Sequence, residues 1–315
     1  MAMENPFKNP HTEQQRDSVP PSSEKPSSSR RLRELSQTPE HLRAEDVRRE
    51  IEERLQDLMQ PANKIGSGQV ADVYSGRDED GLSGFCIKHK ARNTIETVLD
   101  CPLQEEMRLQ EQAYRILEKA RGQGKSVARI PQPWAYVKTA EGAEILSMDL
   151  VPGKTLRRLL LERAAHHMPE QHILPGYRSE NLEAALDDDL EKMVMDNFLN
   201  ANKKKNTAQL HRELVELAGN PPFLTKELAL QVRNTLQTLH AAGFFHRDIH
   251  AKNIMISDDL TQASLIDFGR ASFGEHTSMS EAVDVDRAGT KVQYLRDEGI
   301  LSTISSLIPK PAKKA

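Results

Sequence analysis

The 315-residue chain has only two cysteines, Cys86 and Cys101. Two thiols make neither a disulfide framework nor a zinc site, and a reducing compartment is the simple expectation. No apolar run approaches the length of a membrane span. The first residues, Met-Ala-Met-Glu-Asn-Pro-Phe, lack the charged-then-apolar order of a signal peptide. A cytoplasmic protein is therefore expected, with export as an effector left open. The net charge of −4 argues against a general nucleic-acid or membrane binder. Hydrophobic content of 37% and mean hydropathy of −0.63 are low for a compact fold, so part of the chain is expected to lie outside any core.

Residues 1–37, rich in Pro, Ser, Glu and Arg, bury too little to offset their ordering entropy and are expected to be disordered. Thr38 and Pro39 suit the N-cap and first position of a helix, and Val47, Ile51, Leu55 and Leu58 give it one apolar stripe up to Pro61, so 38–60 is expected to be an amphipathic helix. From residue 63 the pattern turns to strands: Lys64 to Tyr74 around a glycine turn, then Gly84 to Lys90, with Asp78 to Gly81 as the turn between. A helix is expected over about 102–120. Two more strands follow at Trp134–Val137 and Ile145–Leu150. Residues 161–224 are charged, with Asp187-Asp188-Asp189 and Lys203-Lys204-Lys205, and are expected to form a helical insertion with a solvated surface. Thr225 to His240 reads as a long helix. Residues 301–315 are expected to be a basic tail.

The most informative stretch follows that helix. In Phe245-His246-Arg247-Asp248-Ile249-His250-Ala251-Lys252-Asn253 an aspartate stands five residues before an asparagine, between apolar runs, and Asp267-Phe268-Gly269 begins fourteen residues later. A carboxylate to take the proton of an attacking hydroxyl, with an amide oxygen and a second carboxylate for Mg²⁺, is what phosphoryl transfer needs. Together these stretches resemble the protein-kinase catalytic loop, H-R-D-x-x-x-x-N, and its D-F-G motif. Upstream, Gly66-x-Gly68-x-x-Ala71-x-Val73 resembles the glycine-rich loop, and Phe85-Cys86-Ile87-Lys88 stands where V-A-I-K is usual, with Lys88 22 residues after Gly66. Met148-Asp149-Leu150-Val151-Pro152-Gly153 resembles the hinge.

The resemblance implies an α+β, two-lobed protein-kinase-like fold. Its five-stranded N-lobe with one main helix would span 61–150, and a shortened, mostly helical C-lobe 151–300. It implies ATP and Mg²⁺ as cofactors. Ile65, Gly66, Ser67, Gly68, Val73, Lys88, Met148, Asp149 and Val151 would bind the nucleotide, with Lys88 on its phosphates and Lys90 as the alternative. Asp248 would be the base and Asn253 and Asp267 the metal ligands. Glu106 would hold Lys88, with Glu105 and Glu111 close enough in angle to compete. His246 would pack beneath the loop, and Arg247 would meet a phosphate or anchor the loop.

Two departures bear on the substrate. His250 stands where most serine/threonine kinases carry lysine, as in small-molecule kinases of the aminoglycoside and choline type. Only 48 residues follow Asp267, with no A-P-E. The short activation segment carries Thr277, Ser278 and Ser280, and Asp284 would steady the catalytic loop. The whole resembles compact kinases of the RIO, Bud32 or bacterial-effector kind. The leading expectation is transfer to protein serine or threonine. The alternatives are a small-molecule phosphotransferase and a nucleotide-binding pseudokinase scaffold.

Overall fold

The computed structural model describes residues 49, 51–67, 71–76, 84–91, 101–173, 182, 187–199, 205–274 and 299–309. The 1–37 segment, the 78–81 turn, Thr277, Ser278, Ser280 and Asp284 lie outside the described residues, as does the start of the 38–60 helix.

The first half is a five-stranded antiparallel sheet of strands β1 (Lys64–Ser67), β2 (Asp72–Ser75), β3 (Phe85–Lys90), β4 (Pro133–Lys138) and β5 (Glu144–Asp149), in the order β1-β2-β3-β5-β4. Its faces are buried by different helices. Helix α1, over 51–58, lays Ile51 and Leu58 on Phe85, Ile87, Trp134, Val137 and Ile145. Helix α2 (Leu103–Gly122) covers the other face, where Leu103 meets Cys86, Leu146 and Met148. Alternation along β3 divides its side chains between these two layers.

Below the sheet come β6 (Lys154–Thr155) and helix α3 (Leu156–His166), which starts where the Thr155 hydroxyl accepts the Arg158 N–H. Helix α4 (Asp187–Glu191) runs on in π form over Lys192–Leu199, followed by α5 (Thr207–Ala218) and α6 (Lys226–Ala241). Asn206 and Gln209 close a capping box at the start of α5, and Thr225 caps α6. Short strands β7 (Phe244–Phe245), β8 (Ile254–Ile256), β9 (Ala263–Leu265) and β10 (Ser272–Phe273) then carry the loops of interest. They pair as β6-β8-β9 and β10-β7.

Where it is described, the 161–224 segment is largely helical, but it is not a solvated elaboration. Leu190, Met193, Val194, Leu214 and Ala218 are fully buried in the same core as α3 and α6. Its apolar residues build the lobe. The basic tail expected over 301–315 also needs correction. Residues 299–306 form a helix, α7, with Ile300, Ile304 and Leu307 buried in that core. The Leu307 carbonyl accepts the N–H groups of both Phe223 and Leu224. Ile300, Ile304 and Leu307 recur at steps of four and three, the spacing of a single helical stripe.

Candidate active site

Lys88 stands on β3 opposite Leu146 of β5 and reaches out of the sheet toward α2. Its ammonium donates to both Glu106 oxygens, at 2.8 and 2.9 Å, and to Asp267 Oδ1 at 2.9 Å. The neighbouring candidates are occupied elsewhere. Glu105 binds Arg108, Glu111 binds Arg115, and Lys90 lies 4.0 Å from Glu144. Burial disfavours the Lys88 ammonium, but Glu106 and Asp267 outweigh it and raise its pKa. Burial is also the main influence on Glu106, whose pKa is raised despite Lys88. Burial pushes Asp267 the same way, but there the Lys88 charge and hydrogen bond prevail and the pKa is lowered.

Two non-glycine residues with positive φ flank the site: Arg247 at 62° and Asp267 at 64°. Each such residue costs about 1–2 kcal/mol and persists only where its surroundings impose it. Beneath them His246 is fully buried. Its Nε2 lies 3.1 Å from the Ile266 carbonyl, so Nε2 carries the hydrogen. The ring sits 4.8 Å from that of Phe268, and burial lowers its pKa. A neutral His246 thus ties the loop after β7 to the backbone just before Asp267.

Between β7 and β8 the loop turns back on itself. Asn253 Nδ2 donates to the Asp248 carbonyl at 2.9 Å, which leaves the amide Oδ1 as the atom able to take a cation. Both oxygens of Asp248 have cationic or N–H neighbours. Oδ1 lies 3.4 Å from Arg270, and Oδ2 lies 3.5 Å from His250 Nε2. His250 Nδ1 accepts the Lys252 N–H at 3.2 Å, which assigns the ring hydrogen to Nε2, facing Asp248. Burial works against the Asp248 charge, but the His250 hydrogen bond and Arg270 lower its pKa. Lys252 turns its ammonium to Glu191, 3.5 Å away. It does not replace the lysine missing at position 250.

At the other wall, Met148 is buried, and Gln110 of α2 donates to the Pro131 carbonyl at 2.7 Å and lies 3.5 Å from Met148 Sδ. The Asp149 carboxylate accepts from the Trp134 indole at 2.9 Å and the Gln132 N–H at 3.1 Å, fixing the strand end that leads to Val151. Gly153 has φ +103°, and a Cβ there would sit 2.1 Å from the Ile256 carbonyl oxygen. Glycine is needed at that approach. Ile65 is half exposed on β1, Gly66 pairs with Val73, and the Ser67 hydroxyl donates to Asp72 at 2.6 Å. Gly68 lies outside the described residues.

The structure thus gathers Lys88, Glu106 and Asp267 into one ion cluster, with Asp248 and Asn253 on the adjoining loop. Arg270 and Glu191 carried no signal in the sequence. Arg270 merely follows D-F-G, and the partners of Glu191 are 34 and 61 positions away in the chain. Among the described residues no three His, Cys, Asp or Glu side chains are grouped to hold a metal, and no helix is long and apolar enough to cross a membrane. Two oxygen ligands, Asp267 and Asn253, fit Mg²⁺, which commonly takes one or two protein ligands and completes its shell with phosphate and water.

A five-stranded sheet over a helical lobe, with an ion-paired strand lysine and an Asp–Asn loop, is a protein-kinase-like fold. The family model described as protein kinase domain matches residues 183–298, and over that stretch the chain is similar to protein kinases. The matched stretch carries Asp248, Asn253 and Asp267, while Lys88 and Glu106 lie before it. Over 70 residues the chain is 39% identical to an uncharacterized protein of Acanthamoeba polyphaga mimivirus, covering 21% of this chain and 9% of that protein. Over 86 residues it is 29% identical to a negative regulator of sexual conjugation and meiosis of Schizosaccharomyces pombe, covering 27% of this chain and 18% of that protein. The chain thus aligns with less than a fifth of the length of either relative.

Proposed function

We propose that the protein is an ATP- and Mg²⁺-dependent protein kinase with serine or threonine hydroxyls as acceptors. The observation that carries this reading is the bidentate Lys88–Glu106 pair meeting Asp267, with Asp248 and Asn253 beside it. ATP supplies the phosphoryl group and Mg²⁺ neutralises its charge when bound. Lys88, held by Glu106, presents a fixed positive charge to phosphate oxygens. Asp267 and the Asn253 amide oxygen are the oxygen ligands. Asp248 is ionised, accepts the hydrogen bond of the acceptor hydroxyl, orients it, and takes its proton as the new oxygen–phosphorus bond forms and the bond from the γ-phosphorus to the β–γ bridging oxygen breaks, releasing ADP.

One observation favours phosphorylation of a small molecule instead. With His250 turned to Asp248 and Lys252 turned to Glu191, neither side chain takes the part of the usual catalytic-loop lysine. The test is ATP-dependent labelling with wild type and Asp248→Asn, against the protein itself, generic proteins and small alcohols. Labelled serine or threonine is expected, with kcat reduced about 10²–10⁴-fold in Asp248→Asn. Turnover of a small alcohol with no labelled protein would establish the second reading. No turnover of either kind by wild type would leave a nucleotide-binding scaffold.

A further inference from the structure

Glu191 lies in the charged stretch whose purpose is not legible from sequence, at the point where α4 passes into its π turn. Both of its carboxylate oxygens are engaged. Oε1 accepts from Arg157 at 2.9 Å, and Oε2 faces the Lys252 ammonium at 3.5 Å. Arg157 also donates its backbone N–H to the Ala251 carbonyl at 2.9 Å. One carboxylate therefore meets the catalytic loop twice, once through Lys252 and once through the residue that holds Ala251. The arrangement has a firm base. Leu190, Met193 and Val194, on either side of Glu191, are fully buried. The Arg157 side chain is 13% exposed and its Nε is buried without a partner, so Glu191 is the counter-charge that keeps this guanidinium in place. The π turn starts at Lys192, directly after Glu191. Such register changes recur at functional sites.

We propose that Glu191 is a positioning residue of the phosphoryl-transfer site, fastening residues 251–253 of the catalytic loop and through them Asn253. The charged 161–224 segment thereby acts on the reacting groups as well as building the lobe. The proposal rests on the kinase reading for its effect on rate, but not for its effect on the loop.

The test uses the full chain with Glu191→Gln, which keeps size and hydrogen bonding, and Lys252→Ala, whose side chain is 63% exposed and whose loss leaves the core intact. Amide exchange is measured first, without nucleotide. The Lys252 and Asn253 amides, which donate to His250, are expected to exchange at least about tenfold faster in Glu191→Gln while α2 amides are unchanged. Lys252→Ala should move them the same way by less. In the transfer assay Glu191→Gln should lower kcat roughly tenfold, with the KM for ATP within about twofold of wild type. Unchanged loop exchange overturns the proposal, and so does a uniform rise through the whole lobe. If wild type transfers no phosphoryl group but the loop amides still respond, the positioning role stands and the kinase reading falls.

Discussion

Glu106 and Asp267 hold the same ammonium from different depths. The Glu106 side chain is 2% exposed and that of Asp267 is 46% exposed, so water screens the second contact and hardly touches the first. Removing the buried partner should cost about 3–5 kcal/mol, because Lys88 loses its bidentate support. Removing the half-exposed one should cost about 0–1 kcal/mol. Urea unfolding of Glu106→Ala and Asp267→Asn measures both, and equal losses would contradict the depth argument. Both variants should lose phosphoryl transfer, so activity and stability part company at Asp267.

The pH response of these residues follows from the direction of each shift. Asp248 and Asp267 have lowered pKa values in the fold. Their contribution to stability is therefore fully present above the ordinary aspartate value of about 3.9 and is lost as pH falls through the lowered folded values. Glu106, with a raised pKa, works in the opposite sense. The melting-temperature lead of wild type over Asp267→Asn should thus shrink as pH is lowered below about 4. A lead that widens there would reverse the assigned sign.

Among the elements, α7 is where a short stripe matters most. Leu307 is fully buried and its carbonyl satisfies two backbone donors at the foot of α6. Leu307→Ala should destabilise the protein by about 2–5 kcal/mol in urea unfolding, whereas a solvated tail would register no change. The stripe is present in the sequence, but three lysines and two prolines beside it give the segment the composition of a tail. Strands β1 to β5 and α2 were legible because their apolar periods are clean and their turns carry glycine. The segment around α4 was not. Its π turn breaks the 3.6-residue period, and its acidic and basic runs obscure Leu190, Met193 and Val194. Glu106 could be narrowed to one of three carboxylates by its angle on α2. The contacts of Asp248 with Arg270 and of Glu191 with Arg157 depend on how the loops cross, which no local spacing records.

At the scale of the whole molecule, α2 belongs to two cores. Near its start Leu103 packs under the sheet, while Leu109, Ala113, Leu117 and Ala120 lie in the cluster that contains α3, α6 and α7. The Cys101 N–H donates to the Gly269 carbonyl at 2.8 Å, just before that helix begins. Arg129 and β9 exchange backbone hydrogen bonds at 2.9 and 2.8 Å beyond its end. Neither lobe can lose α2 without exposing apolar surface, so the two should unfold as one unit. The sequence supplies a probe for each. Trp134, the only tryptophan, is buried in the N-lobe sheet against Phe85, with ring centroids 5.5 Å apart. Among the described residues most of the helix, and so most of its far-ultraviolet dichroism, lies in the C-lobe. Urea transitions followed by tryptophan fluorescence and by dichroism should therefore coincide. Leu117→Ala, with a side chain buried on the C-lobe side of α2, should shift both midpoints together, by about 2–5 kcal/mol. A fluorescence transition that separates from the dichroism in wild type, or that stays in place when Leu117 is cut back, would mean that the lobes fold independently. The Lys88–Asp267 contact would then join two separately stable bodies rather than close a single one.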